Sequence, residues 1–381
     1  MIKNIIPLIL ITLLITNCQR NTSQSVRTIE INPDDSTDSG FSDYFEMEQY
    51  IVLESSDSSL MQSIRKIYIA NNKIFILTWG DAQILIFDIN GKFISKINKD
   101  GRGPEEYSYA VDFSISSKGD TICLFDKELK KLIYYSPNGK FYLSKSLNAD
   151  LETYLALPNG NIVGYSHLNY VEPLNDTIYQ LWYFDKNGRK LDGYLPVNKN
   201  ALGNSIGLAS SFNSTNSGHF FIPYTQSIIY KISINPFYIT PIFKIDFKDR
   251  SMPDNLLELP RKEMYEAFKK AFVLSGEFIG TKDLLLNIYS ADQRKSLVAI
   301  YNIESGTHAL LDSKTLYDHI NELPINVNLQ NTYLGKDRLI AVTDPVKLLS
   351  HEYKNMQSTG YILKQKVKET DNPILVIYKE K

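Results

Sequence analysis

A hairpin turn that returns at a near-constant interval constrains this chain more than any other feature. The stretches "QILIFDINGKFISKI" (83–97), "KKLIYYSPNGKFYLSKSL" (130–147) and "YQLWYFDKNGRKLDGYL" (179–195) share one plan. Each is a β-rich run, an Asp/Ser-X-Asn-Gly turn and a second β-rich run, which is a hairpin signature. The turn glycines Gly91, Gly139 and Gly188 lie 48 and 49 residues apart. Weaker copies follow in "SIIYKISINPFYITPIFKIDF", with its turn near Asn235-Pro236, and in "LVAIYNIESGTHALLD", with Gly306 at the turn.

The half-unit before each hairpin recurs as well. "IRKIYIANNKIFILTWG", "AVDFSISSKGDTICLFD", "ETYLALPNGNIVGYSH", "SSFNSTNSGHFFIPY" and "GEFIGTKDLLLNIYS" each read as strand, polar turn, strand. One unit is thus four short antiparallel strands in somewhat under 50 residues, the period of a β-propeller blade. Five blades are counted this way, and "INVNLQNTYLGKDRLIAVTDP" with the terminal "NPILVIYKEK" makes a sixth. The expected fold is all-β, a six-bladed β-propeller of four-stranded antiparallel blades. Residues 50–54 have no hairpin partner, so they are expected to close the ring beside the C-terminal strand and remove an exposed edge. One segment breaks the pattern. "PDNLLELPRKEMYEAFKKAFVL" sets Met264, Tyr265, Phe268, Ala271 and Phe272 at helical spacing, which predicts a helical insertion near 253–275.

The N-terminus reads differently. "MIKNIIPLILITLLITNC" has a short leading region with Lys3, an apolar run and then Cys18. The run is short for a membrane span and suits a signal-peptide core. "LLITNC" resembles the lipobox of bacterial lipoproteins, although Asn17 stands where a small residue is usual; the resemblance implies cleavage before Cys18 and lipidation there. Residues 1–17 are then the signal peptide, 18–43 a polar tether carrying the lipid and 44–381 the propeller. The expected location is the cell envelope, at the outer membrane, facing the periplasm or the cell surface. Cys123 is the one other cysteine, so no internal disulfide forms, and its alternating apolar context makes it a small buried hydrophobe. The net charge of −2, with lysine well in excess of arginine, excludes a nucleic-acid partner as the natural reading.

The link "GRGPEEY" (101–107) separates the first hairpin from the second blade. It lacks the Gly-Lys-Ser/Thr of a phosphate loop, and no helix follows it. Its glycines and Pro104 suit a tight reversal. A Gly-x-Gly-Pro-x-Glu-Tyr turn after "FDINGKFISKI", with "YIVLESSDSSLMQSIRKI" before it and "DNPILVIYKEK" at the end, resembles the six-bladed propeller lipoproteins of Bacteroidetes, relatives of the NHL-repeat propellers. The resemblance covers about residue 49 to the C-terminus. It implies the fold and leaves the activity open. Glu105 departs from the glycine common there.

Candidate binding residues are those that a propeller brings to its axis. Arg102 and Glu106 are candidates if their loop faces the hub; the competing reading is a local turn in which they pair with neighbours. His167 and His219 occupy loosely similar positions in adjacent blades. They leave a zinc set without a third ligand, so neither a catalytic zinc nor a cofactor is expected, while calcium, which needs only loop oxygens, stays open. No G-x-S-x-G motif or Ser-His-Asp set is present. The expected role is a lipid-anchored binding or protein-interaction module for a glycan, a peptide or a partner envelope protein. The alternative is a metal-dependent propeller enzyme of lyase or lactonase type.

Overall fold

The computed structural model describes residues 26–35, 37–147, 149–166, 177–201, 211–290, 292, 294–329, 332–333 and 338–381. Cys18 and His167 lie outside them. The chain is a six-bladed β-propeller of mainly antiparallel four-stranded sheets. Blade one is Ile64–Ala70, Lys73–Thr78, Ile84–Asp88 and Phe93–Ile97. Blade two is Ala110–Ile115, Ile122–Asp126, Lys131–Tyr135 and Phe141–Ser146. Blade three is Thr153–Ala156, Ile162–Tyr165, Ile178–Phe184 and Lys190–Val197. Blade four is Ser211–Thr215, Gly218–Ile222, Ile228–Ile234 and Phe237–Asp246. Blade five is Phe272–Ile279, Asp283–Ser290, Ser296–Asn302 and His308–Asp312.

In these five blades the first strand is innermost and the fourth outermost, and the inner strands neighbour one another around the axis. Since each blade is the same meander, all inner strands start on one face of the ring, the leading face, and end on the other, the trailing face. Links between blades lie on the leading face and the recurrent Asn-Gly turns on the trailing face. Those turns form for a local reason. Asp88 Oδ1 accepts the amides of Asn90 and Lys92, each at 2.9 Å, and Asp185 Oδ1 accepts those of Asn187 and Arg189, also at 2.9 Å. Gly91 and Gly188 then take φ of +86° and +84°, which a side chain disfavours.

Apolar side chains alternate between the two faces of each blade and interlock with the next blade. Phe75 and Ile86 of blade one pack with Phe113 and Ile133 of blade two, all fully buried. Each such side chain contributes roughly 1.5–3 kcal/mol. Polar latches add register at the hub. Asp112 and Asn213 are each the third residue of an inner strand, and each holds the next amide along its own strand. Each also reaches the following blade, Asp112 at the Tyr154 amide and Asn213 at the Glu277 carbonyl. Asn287 likewise clasps Val327 and Leu329 on the way into blade six.

Ring closure joins the two ends of the propeller. Phe45–Val52 pairs antiparallel with Ile374–Glu380, which pairs with Arg338–Thr343. The closing strand therefore starts earlier than residue 50 and stops at Val52. Blade six departs from the expected four strands. Thr332–Tyr333 leaves it to pair in parallel with Ile67 and Tyr68 of blade one, and the inner segment keeps one bridge, Asn326 to Val342. Glu380 tightens the closure by accepting the amides of Thr281, Lys282 and Asp283 in blade five.

The stretch expected as a tether through residue 43 is docked from its described start. Arg27–Glu30 pairs in parallel with Phe243–Asp246 as a fifth strand of blade four. Ile29 and Ile31 are buried between blades four and five, and Arg27 bonds the Ile303 carbonyl at 2.7 Å. Thr37 then pairs with Leu310 of blade five, and Phe41 stacks on Phe45 at the seam of blade six. The segment is a strap across three blades, held by strand pairing, by these few apolar side chains and by ion pairs of Asp34 with Arg250 and Lys295.

The helical insertion comprises Leu256–Glu258 and Arg261–Lys270, and it buries Met264 and Phe268. Phe272 does not extend that face. The backbone becomes extended at Ala271, and Phe272 begins the inner strand of blade five. A second excursion, residues 344–373, leaves blade six on the leading face and carries helices Pro345–Ser350 and Thr359–Lys364.

Candidate functional site

Lys66, Tyr68, Ser114, Tyr154, Ser214 and His219, from four successive blades, line an axial cavity of about 80 Å³. Beside it Asp112 is fully occupied. Oδ1 accepts from Lys66 Nζ at 2.6 Å and the Phe113 amide at 2.7 Å; Oδ2 accepts from Thr153 Oγ1 at 2.7 Å and the Tyr154 amide at 3.0 Å. Four donors for one carboxylate leave it no lone pair for a general base. Tyr154 donates to the Cys123 carbonyl and sits 3.0 Å from Ser114 Oγ. Burial, then the neighbouring Cys123 and Asp112, pushes its phenol well above the usual range. Burial also pushes the Cys123 thiol up to about 11, so it stays protonated and inert.

His219 does reach this cavity. It stands directly across the hairpin from Ser214, and its Nδ1 is 2.7 Å from Ser214 Oγ. Burial lowers its pKa, which leaves the ring neutral at pH 7. Cross-strand register alone accounts for the Ser–His contact, and among the described residues no carboxylate orients the ring. Among those residues, too, no three His, Cys, Asp or Glu side chains gather as metal ligands.

Arg102 and Glu106 are elsewhere. Their loop lies at the leading end of the blade-two inner strand, near Ala110; Ser114 is four residues on, about 13 Å at the usual rise of a strand. Glu106 turns inward on its own loop, where Oε2 accepts the Gly103 amide at 2.8 Å. A Cβ on Gly101 would fall 2.0 Å from that oxygen, so a larger residue there would push the Glu106 carboxylate off the Gly103 amide. Tyr107 is buried and donates to the Ile97 carbonyl at 3.1 Å. Arg102 lies 3.5 Å from Glu128, with side chains 73% and 60% exposed, a pair of little energetic weight. The loop is the tight reversal that its glycines and proline foretell.

A larger cavity, about 260 Å³, opens on the leading face where blades six and one meet. Ile64, Ile67, Ile325 and Val342 form its aliphatic floor, and Gln62, Ser63 and Asn326 stand at its rim. Among the described residues these three rim side chains have no hydrogen-bond partner. Both ends of the 344–373 excursion, Asp344 and Pro373, wall it in. Asp344 is committed to capping its helix through the amides of Val346 and Lys347.

A known family covers this architecture. The pattern described as "Domain of unknown function (DUF4934)" matches residues 26–379. The chain belongs to the DUF4934 family. The match begins at the strap, in keeping with its place in the fold. No curated protein matches the sequence. Among solved structures, this DUF4934 chain is similar to a protein of Bacteroides fragilis NCTC 9343 named as a putative exported protein, at 18% identity and TM-score 0.72, covering 93% of this chain and 99% of that one. It is also similar to a member of the DUF4221 family from Bacteroides vulgatus ATCC 8482, at 9% identity and TM-score 0.55, covering 88% and 98%. At such identities the likeness concerns the fold.

The seam cavity of the DUF4934 chain escaped the sequence reading because three segments far apart in the chain build it. The signal that pointed to it was the break in repeat length after Thr343. An insertion within one blade falls in a loop, and loops on one face of a repeat protein commonly carry binding.

Proposed function

We propose that this chain is an exported recognition module, lipid-anchored at Cys18 in the cell envelope, that holds an extended uncharged peptide segment of a partner envelope protein in the seam cavity. One contrast carries the reading. The Asp112 carboxylate at the hub is consumed in latches between blades, whereas Gln62, Ser63 and Asn326 are unspent at the rim of the larger cavity. A carboxamide offers a donor and an acceptor side by side, the complement of a peptide unit. The aliphatic floor below suits one small apolar side chain, at a size near the lower end of small-molecule sites, ~300 Å³. Export is supported by the N-terminal leader pattern and by the likeness to a Bacteroides fragilis protein named as exported.

The test is selection of a random heptapeptide phage library on the immobilised protein. Selected peptides are expected to be uncharged, with an aliphatic residue, and to bind at least about tenfold more weakly to Gln62→Ala/Asn326→Ala, as loss of two hydrogen bonds entails. Selection that yields no binders, or binders indifferent to both substitutions, overturns the reading.

A further inference from the structure

The recurrent turns of blades one to four do more than reverse the chain. Three residues past each turn Asn or Gly stands an exposed apolar side chain: Ile94 at 46%, Tyr142 at 48%, Leu191 at 42% and Tyr238 at 49%. Nothing in hairpin chemistry requires an apolar residue to face water four times at one position. The series ends at blade five, where Ala309 takes the equivalent place and is buried beside the strap residue Thr37 and its partner Leu310.

Cations share the rim. Residues 88–96, 136–145, 185–192 and 231–238 carry eight Lys or Arg against three Asp, in a chain of net charge −2. Asp88 and Asp185 are turned onto the amides of their own turns. The four turns are contiguous, because each outer strand touches the next turn: Ser95 donates to the Pro137 carbonyl at 2.6 Å, Lys145 to that of Lys186 at 2.9 Å, and the Tyr194 ring packs edge-on against Phe237 at 5.0 Å. All of them lie on the trailing face, opposite the seam cavity.

We propose that this rim rests on an anionic lipid bilayer. Apolar side chains spaced by whole blades, paired only at Tyr142 and Leu143 and set beside cations on three of the four turns, lack the packed apolar centre of a protein interface. A bilayer needs no such centre. Its headgroups rearrange around each contact, Lys and Arg meet lipid phosphates, and Tyr or Leu enters the interfacial zone. The seam cavity then opens away from the membrane.

The experiment is co-sedimentation of the unlipidated chain from Gln19 onward, which keeps every described element, with vesicles of phosphatidylcholine alone or with roughly one-third phosphatidylglycerol. Binding is expected on the anionic vesicles alone, and to weaken on a tenfold rise in salt. It is expected to fall at least about tenfold in Lys92→Glu/Lys140→Glu/Arg189→Glu and in Ile94→Ser/Tyr142→Ser/Leu191→Ser/Tyr238→Ser. Both sets are exposed, and an unchanged melting temperature checks their folding. Asn326→Ala is expected to bind vesicles as the parent does, which separates this result from the peptide site. No binding to anionic vesicles, equal binding to neutral ones, or binding unchanged in both variants overturns the proposal.

Discussion

Lys66 of blade one donates to Asp112 of blade two at 2.6 Å, and the same carboxylate holds Thr153 and the Tyr154 amide of blade three. One side chain therefore sets the spacing of three inner strands. It also explains why the hub reads as a fastening.

Asp112→Ala leaves an ammonium and three further donors unanswered at the hub. We expect a loss of about 3 kcal/mol in urea unfolding, the usual cost of removing one partner of a buried pair. Lys66→Met/Asp112→Leu should recover most of it, since no orphaned charge remains. A single variant within about 1 kcal/mol of the parent, inside the range of an exposed pair, would show that the clamp is ornamental.

Two turn glycines with nearly the same φ should differ in tolerance. A methyl group placed on Gly160, at φ +84°, would have only Lys186 Cβ close by, at 3.3 Å, so Gly160→Ala should cost about 1–2 kcal/mol from backbone conformation alone. At Gly91, φ +86°, the methyl would meet the Val52 carbonyl oxygen at 2.1 Å on the closing strand. Gly91→Ala should therefore lower the melting temperature clearly more than Gly160→Ala does, and equal shifts would count against the tight seam.

His219 predicts an acid-side weakness. Its folded pKa is below the ordinary 6.5 because burial disfavours the charged ring. As pH drops below 6.5, the unfolded chain takes up the proton first, so stability falls until pH reaches the lower folded value; above 6.5 the contribution is complete. Melting curves at pH 7.5 and 5.5 should separate for the parent, and separate less in His219→Gln. Identical pH dependence in the two proteins would remove His219 as the cause.

The strap should matter to stability. Ile31 is fully buried, and Ile31→Ala is expected to cost about 3 kcal/mol by the usual range for core truncation. A chain beginning at residue 44 should melt lower than one beginning at Gln19 and bind more of an apolar dye, because the Ile29 and Ile31 sites between blades four and five stand open. Matching melting curves would return residues 26–43 to the role of a passive tether.

Local chemistry was legible in the sequence and distant pairing was not. The turn glycines declare themselves because positive φ leaves few alternatives, and the regular interval then dictates the propeller. "GRGPEEY" was readable as a turn on the same ground. The strap was hidden because residues 19–43 are mostly polar; the alternation in "TIEIN" was its one mark, and its partner strand lies more than 200 residues away. Of the proposed site residues, His219 reached the hub, as strand register allowed. Arg102 and Glu106 answer to their own loop, and only the folded arrangement of neighbouring blades reveals that.

Closure by Phe45–Val52 against Ile374–Glu380 has a consequence for biosynthesis. The two strands are separated by most of the chain, so the first waits for the last. At roughly 5–20 residues per second, the ring stays open for something like 15–70 s after Phe45 is made. Through that interval the growing molecule is an unlatched arc with free strand edges at both ends. A chaperone can still grip such an edge, and the final eight residues turn the arc into a closed object.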